Sequence, residues 1–292
     1  MKLFKSHGLD ILFNDSNLDY KGVFSYDIDY SNIINDNFIV QGICRSEEYF
    51  FISCYSKDRV NSRVYIYKDE FIRYVELDNN SHVGGISYSD KGYLLITEKN
   101  GKVNCYKYSD FINGIITRVD CNINISNELD GIVSAATLYY YDGYLYVCTC
   151  SYEGRMVRYK LSFSDKVSFD EFKVYSNLPA CIQGICVFKY MDNLYYLFSQ
   201  SYSKSKSCIK LLDSNFEFLG QYISSFIGIE GIELDKSGNI IGIFEKNISH
   251  SVLFNISMLR GGLKSSLEKK YYIYGDIHQK KLDNLRKMTY IK

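Results

Sequence analysis

Internal repetition restricts the fold of this chain more than any other feature. Five segments share a short apolar strand that ends in a small residue followed by an aliphatic one: Phe38-Ile-Val-Gln-Gly-Ile43, Ser81-His-Val-Gly-Gly-Ile86, Val133-Ser-Ala-Ala-Thr-Leu138, Ala180-Cys-Ile-Gln-Gly-Ile185 and Ile227-Gly-Ile-Glu-Gly-Ile232. Aligned on their fourth residue, the anchors are Gln41, Gly84, Ala136, Gln183 and Glu230, at intervals of 43, 52, 47 and 47 residues. That period is the spacing of propeller blades.

Each anchor is followed by a polar turn, as in Ser89-Asp-Lys-Gly92, Tyr141-Asp-Gly143 and Asp235-Lys-Ser-Gly238, and then by a strand rich in Tyr, Phe, Ile and Leu. This is a hairpin pattern. Second strands are expected over residues 49–54, 93–97, 144–149, 194–199 and 240–245, and third strands over 63–67, 102–108, 156–161, 207–212 and 251–256. A fourth strand follows over 71–77, 116–119, 171–175 and 216–222. The expected fold is therefore all-β, a five-bladed β-propeller of four-stranded antiparallel blades. Repeats start near residues 37, 80, 132, 180 and 227, within one domain over residues 1–292. One such sheet exposes two apolar faces, and a closed ring buries each face against the next blade. Closure requires a strand from one terminus to join the blade of the other, and Gly22–Asp27 or Tyr271–Tyr274 could supply it. The alternative is six blades, the sixth a composite of residues 1–36 and 259–292.

Composition agrees with strands. The chain has 29 Tyr, 18 Phe, no Trp and one proline, Pro179, which favours sheets over helical bundles. Lys and Arg total 34 against 34 Asp and Glu, so no global field draws the protein to nucleic acid or acidic lipid. Residues 259–292 are locally basic, with nine Lys or Arg against three acids, and Leu282, Leu285 and Met288 have helical spacing. A closing strand and a solvated capping helix are expected there; a basic surface with tyrosines for stacking on nucleic acid is the other reading. Residues 1–17 lack the unbroken apolar stretch of a secretory signal, and no run is long enough to cross a bilayer. The nine cysteines are odd in number and mostly sit in apolar runs, as reduced core thiols of a cytoplasmic protein do. Cys148 and Cys150 fall on one strand face, where core packing competes with metal binding; no His or second Cys pair lies nearby. HExxH, GxSxG and paired CxxC motifs are absent, and Gly261-Gly262 lacks the spacing of a phosphate loop.

Propeller geometry places the start of each first strand and the end of each second strand at one end of the ring. Candidate ligand-binding residues there are Gln41, Ser134 and Gln183 at the strand starts, and Ser53, Glu98, Thr149, Ser199 and Glu245 at the second-strand ends. Glu230 and His82 are the candidate catalytic pair. Gln41, Gln183 and Glu230 occupy an otherwise small or apolar repeat position, and a buried polar group needs partners; they either line a pocket or bond the backbone of neighbouring blades. His82 is the one histidine within a repeat motif, whereas His7 and His278 lie near the termini and His250 follows Glu245. An imidazole beside a carboxylate can move protons near neutral pH, or it can be a satisfied core group.

Gln41-Gly-Ile43 followed by Ser53-Cys-Tyr-Ser56 and Ser62, His82-Val-Gly-Gly-Ile86, Gln183-Gly-Ile185 followed by Ser199-Gln-Ser-Tyr202 and Ser207, and Glu230-Gly-Ile232 followed by Phe244-Glu245 resemble an uncharacterised bacterial β-propeller family across residues 37–258. More distantly, Gln41 and Glu230 resemble the Gln-Gly and Glu-Gly blade openings of five-bladed glutamine cyclotransferases. That resemblance implies ring closure of an amino-terminal glutamine, with a central carboxylate moving protons inside aromatic walls. This chain departs from the pattern at Gly84, where a glutamate is expected, and in having no Trp.

Two classes of function follow. A binding protein would hold a small polar molecule, glycan or peptide end at the channel mouth through Gln41, His82, Gln183 and Glu230. An enzyme, cyclotransferase- or hydrolase-like, would use Glu230, with Glu98 or Glu245, as acid or base beside His82. A protein-interaction scaffold is a further alternative. No cofactor and no metal are expected, since only His82 and Glu230 would suit an axial ion.

Overall fold

The structure, a computed structural model, describes residues 2–6, 9–13, 28–129, 132–151, 153–190, 192–201, 206–235, 239–245 and 251–254. A hairpin of β1 (Lys2–Ser6) and β2 (Leu9–Phe13) comes first. The first sheet then runs β3 (Phe38–Arg45), β4 (Phe50–Ser56), β5 (Arg63–Tyr67), β6 (Phe71–Glu76). The second is β7 (Ile86–Ser89), β8 (Tyr93–Thr97), β9 (Val103–Lys107), β10 (Arg118–Val119). The third is β11 (Ile132–Tyr141), β12 (Tyr144–Cys150), β13 (Gly154–Phe163), β14 (Val167–Leu178). The fourth is β15 (Ile182–Tyr190), β16 (Asn193–Gln200), β17 (Lys206–Leu212), β18 (Phe218–Ile227). The last is β19 (Ile229–Leu234), β20 (Ile240–Phe244), β21 (Val252–Phe254). All strand pairs within these sheets are antiparallel, and each sheet follows chain order from its inner strand outwards.

The architecture is an all-β propeller with four-stranded antiparallel blades. Four sheets are complete blades, against the five expected; the last shows three strands. Both proposed closing strands, Gly22–Asp27 and Tyr271–Tyr274, and the basic segment 259–292 lie outside the described residues. The composite sixth blade is corrected at its amino-terminal half. There β2 pairs with the outer edge of β18, extending the fourth sheet to six strands, because an open edge offers unpaired backbone groups to any strand that reaches it.

Burial follows from the ring. The inner strand β3 is buried almost throughout, and the outer strand β6 is exposed at every residue but Val75. Alternate residues of each sheet pack against opposite neighbours: Leu94 and Ile96 meet Phe51 and Val64 of the first sheet, while Leu95 meets Leu138 and Val147 of the third. Similar clusters join the third sheet to the fourth and the fourth to the last. A further cluster sets Ile241 and Ile243 of the last sheet against Ile43, Ile52 and Tyr65 of the first.

The repeat glycine is dictated by convergence of the inner strands. A Cβ on Gly85 would lie 2.5 Å from the Ala136 carbonyl oxygen of the next sheet, closer than any real Cβ contact. Serines at the start of third strands fasten successive sheets. The Ser62 hydroxyl donates to Ser81 O at 2.5 Å, and Ser207 Oγ accepts from Ile229 N at 3.0 Å. Ser251 Oγ likewise accepts from Ile28 N at 2.9 Å, and Ser251 N donates to Ile28 O. The joint between the first and last sheets is thus built like the internal ones. Buried Tyr30 reinforces it: its hydroxyl donates to Phe244 O at 3.3 Å and accepts from Phe244 N at 3.2 Å. Tyr30→Phe leaves both backbone groups without that partner and is expected to cost about 2 kcal/mol in urea unfolding; an unchanged midpoint would discount this role.

Candidate functional site

The three polar anchors sit at equivalent β-bulges. Val40 pairs with Cys54 and Gly42 with Ser53, so Gln41 is the extra residue. The same skip occurs at Gln183, between the Ile182–Gln200 and Gly184–Ser199 pairs, and at Glu230, between Ile229–Phe244 and Gly231–Ile243. A bulge re-aims the side chain it carries, which is how a polar group can sit in an otherwise apolar inner strand. Gln41 and Glu230 are buried and Gln183 is half-buried.

Around Gln41 the arrangement is specific. Its Nε2 donates to Val40 O at 2.9 Å, which leaves Oε1 as the acceptor facing His82 Nδ1 at 3.4 Å. A proton on Nδ1 leaves the lone pair of His82 on Nε2. The imidazole lies over Tyr55, ring centroids 4.3 Å apart. The next residue, Val83, has φ 48, a left-handed conformation that a β-branched residue rarely adopts. The Ser53 hydroxyl holds it by donating to Val83 O at 2.8 Å. His82 is exposed, yet partial burial pushes its pKa below the ordinary histidine value, opposed by the Glu245 charge. Burial raises the Tyr55 phenol, and the Glu245 and Glu230 carboxylates raise it further. Tyr55 and His82 therefore share the field of Glu245, just beyond β20, while Glu230 acts on Tyr55; the ring order explains why: last, first and second sheets are consecutive.

The remaining candidates divide differently. Gln183 Nε2 lies 3.8 Å from Cys150 Sγ, at the boundary of third and fourth sheets. Glu98 accepts from the Tyr106 hydroxyl at 2.9 Å and from Arg118 Nη2 at 3.3 Å, an ion pair with the outer strand of its own sheet. Thr149 and Ser199 are fully buried. Ser53 and Thr97, at equivalent second-strand positions, bond backbone of the following sheet; Thr97 Oγ1 donates to Ala136 O at 3.1 Å. Backbone stitching, considered above for the anchors, is performed by these hydroxyls. Ser134 lies in β11, but its side chain, like His7, His250 and His278, falls outside the described residues. Among the described residues no group of three or more His, Cys, Asp or Glu could hold a metal ion, and no helix is long and apolar enough to cross a membrane.

Two residues of interest were not singled out from sequence. Tyr55 reads as an ordinary strand aromatic, although it stands two residues beyond Ser53, on the same face. Glu233 lies three residues after the Glu230 anchor, where other repeats carry Cys44, Ser87, Tyr139 and Cys186. It is buried, and accepts from Arg45 N at 3.1 Å, Leu234 N at 2.7 Å and the Tyr139 hydroxyl at 3.2 Å. Tyr139 belongs to the third sheet and Glu233 to the last, so this bond reaches past the intervening fourth sheet across the ring. Burial lifts the Glu233 carboxyl to about 7, against the opposing pull of these donors.

No protein-family model matches the chain, and no curated protein matches it. Similar solved structures are distant propellers. The β-propeller domain of Myceliophteria thermophila Cps50 (Swd1) is 14% identical over 72% of this chain and 65% of that one, with a TM-score of 0.36. The WD40 β-propeller of Doa1 is 12% identical over 80% and 94%, with a TM-score of 0.40. A GH43 glycoside hydrolase engineered for endo-xylanase and exo-arabinofuranosidase activity is 11% identical over 75% and 50%, with a TM-score of 0.44. The chain thus spans less than two-thirds of Cps50 and half of the hydrolase. The fold rests on the strand pairing and inter-sheet packing described above.

Proposed function

We propose that this chain is a binding protein that holds a small polar ligand, glycan or peptide end at the bulged mouth of its ring. The observation that supports it is the His82 imidazole packed on Tyr55 with Gln41 Oε1 at its Nδ1, both rings in the field of Glu245. An aromatic face, an imidazole with a free Nε2, the Gln41 amide and the Glu230 and Glu245 carboxylates offer the mixture of flat apolar and polar contacts that small-ligand sites use. Gln183 extends the polar rim toward the fourth sheet. The proposal includes one domain over residues 1–292, in which the three-stranded last sheet is the fifth blade, and a cytoplasmic setting. A second reading, acid–base catalysis by Glu230 with His82, draws on the lowered histidine pKa, which keeps the imidazole neutral at pH 7 in the field of Glu245.

The test is thermal unfolding of the full chain against amino acids, short peptides with free or blocked ends, and mono- and disaccharides, with Glu230→Gln and His82→Ala in parallel. At least one class is expected to raise Tm saturably, with affinity reduced about tenfold or more in each variant. Product formation detected by mass spectrometry would favour the catalytic reading. Shifts equal in native chain and variants, or none with any class, would refute a site at these residues and leave the scaffold alternative.

A further inference from the structure

The boundary between third and fourth sheets carries two thiols where the boundary between first and second carries the aromatic pair. Tyr55 stands two residues beyond Ser53, the partner of Gly42, and Cys150 two residues beyond Cys148, the partner of Thr137. His82 and Cys181 each precede their anchors, Gly84 and Gln183, by two residues. Where Tyr55 rests on His82, Cys150 packs on Cys181 and Ala180 in a small cluster separate from the inter-sheet cores. The two thiols share a hydrogen bond.

The backbone holds them together. Cys181 has φ 50, a left-handed conformation, and its N–H donates to Ser151 O at 2.9 Å, tying it to the residue after Cys150. Cys181 is buried, whereas Cys150 is half-buried and has the Gln183 amide beside its sulfur. The remaining described cysteines sit within strands or against the sheet cores, with Cys44, Cys54, Cys105, Cys148, Cys186 and Cys208 buried.

We propose that Cys150 and Cys181 form a reversible disulfide linking the third and fourth sheets, with a low-molecular-weight disulfide such as oxidised glutathione as the oxidant. The Cys150 thiolate attacks one sulfur of the oxidant, whose S–S bond breaks, and the first glutathione leaves and takes up a proton. Cys181 then loses its proton to solvent and attacks Cys150 Sγ, expelling the second glutathione. Two cysteine thiols are oxidised and one glutathione disulfide is reduced to two thiols. Cys150 reacts first because it is the accessible member. The shared hydrogen bond and burial keep Cys150 protonated, so exchange is slow at neutral pH and gains about tenfold in rate per pH unit while thiolate is scarce. The inference is independent of ligand binding at the mouth.

The experiment incubates the full native chain with oxidised glutathione at pH 7 and pH 8, blocks residual thiols, and maps peptides by tandem mass spectrometry without reduction. The expected result is loss of two free thiols, a Cys150–Cys181 link that dithiothreitol reverses, and faster formation at pH 8. Cys181→Ser should instead stop at a glutathione adduct on Cys150. A link between other cysteines, a glutathione adduct on the native chain with no internal link, or no thiol loss at either pH would overturn the proposal. Mapping the native chain decides the matter even if the variant fails to fold.

Discussion

Gly85→Ala should destabilise the fold by about 3 kcal/mol or more, or leave little folded protein at all. The added methyl would meet Ala136 O at 2.5 Å and Leu138 N at 2.7 Å. Both are backbone atoms of the next sheet's inner strand, so no side chain can turn aside, and relief requires two sheets to separate near the axis. Overpacking of a well-packed interior costs roughly 1–3 kcal/mol even where side chains can adjust. Gly92→Ala provides the contrast. Its Cβ meets nothing, and only its φ of 83 opposes the change, a penalty of about 1 kcal/mol. Urea unfolding of both variants checks the ranking; a Gly85→Ala midpoint near that of the native chain would mean that the inner strands are not in this register.

Between pH 5 and pH 8, Glu233 should make the native chain lose about 2.5 kcal/mol of stability relative to Glu233→Gln. Burial raises its folded pKa from 4.5 to about 7, with bonds from Leu234 N, Arg45 N and Tyr139 partly opposing. The folded state therefore holds a proton that the unfolded state has released. That contribution is fully present below about pH 4.5 and is lost as pH rises through about 7. The full rise from 4.5 to about 7 corresponds to roughly 3.4 kcal/mol, of which roughly 2.5 kcal/mol is lost between pH 5 and pH 8. The glutamine variant carries no such titration, so the native-minus-variant difference in unfolding free energy isolates it from every other group. A difference that stays constant between the two pH values would place Glu233 in contact with water.

The repeat was legible because its cause is local. A polar or small anchor followed by Gly or Thr and an aliphatic residue encodes a strand that bulges, lets the next sheet approach, and then buries a branched side chain. Polar turns marked the hairpins for similar reasons. Outer strands were less legible, since they are exposed and weakly patterned: the expected strand at Ile116 begins at Arg118, while the third sheet's outer strand runs over Val167–Leu178, well beyond the expected residues 171–175. Pairing of the first hairpin with β18 left no mark in sequence, because backbone edges accept strands of many sequences. Gln41, His82, Glu230 and Glu245 were singled out as candidates by repeat position, and the structure sets Gln41 against His82. Tyr55 was not, because strand tyrosines are common here; the Tyr139–Glu233 bond depends on how tightly the ring curves, which no local pattern records. Glu98 was placed correctly at its strand end, but the guanidinium that engages it arrives from a residue 20 positions away.

The serine contact from Ser251 to Ile28 has a mechanical consequence. A circular assembly usually fails where its two ends meet, since that joint alone lacks a covalent connection. Here the hoop has no soft seam: prising the first and last sheets apart must break a serine clasp, the Tyr30 bonds and an apolar interface, so a load applied to one sheet is passed around the whole circumference.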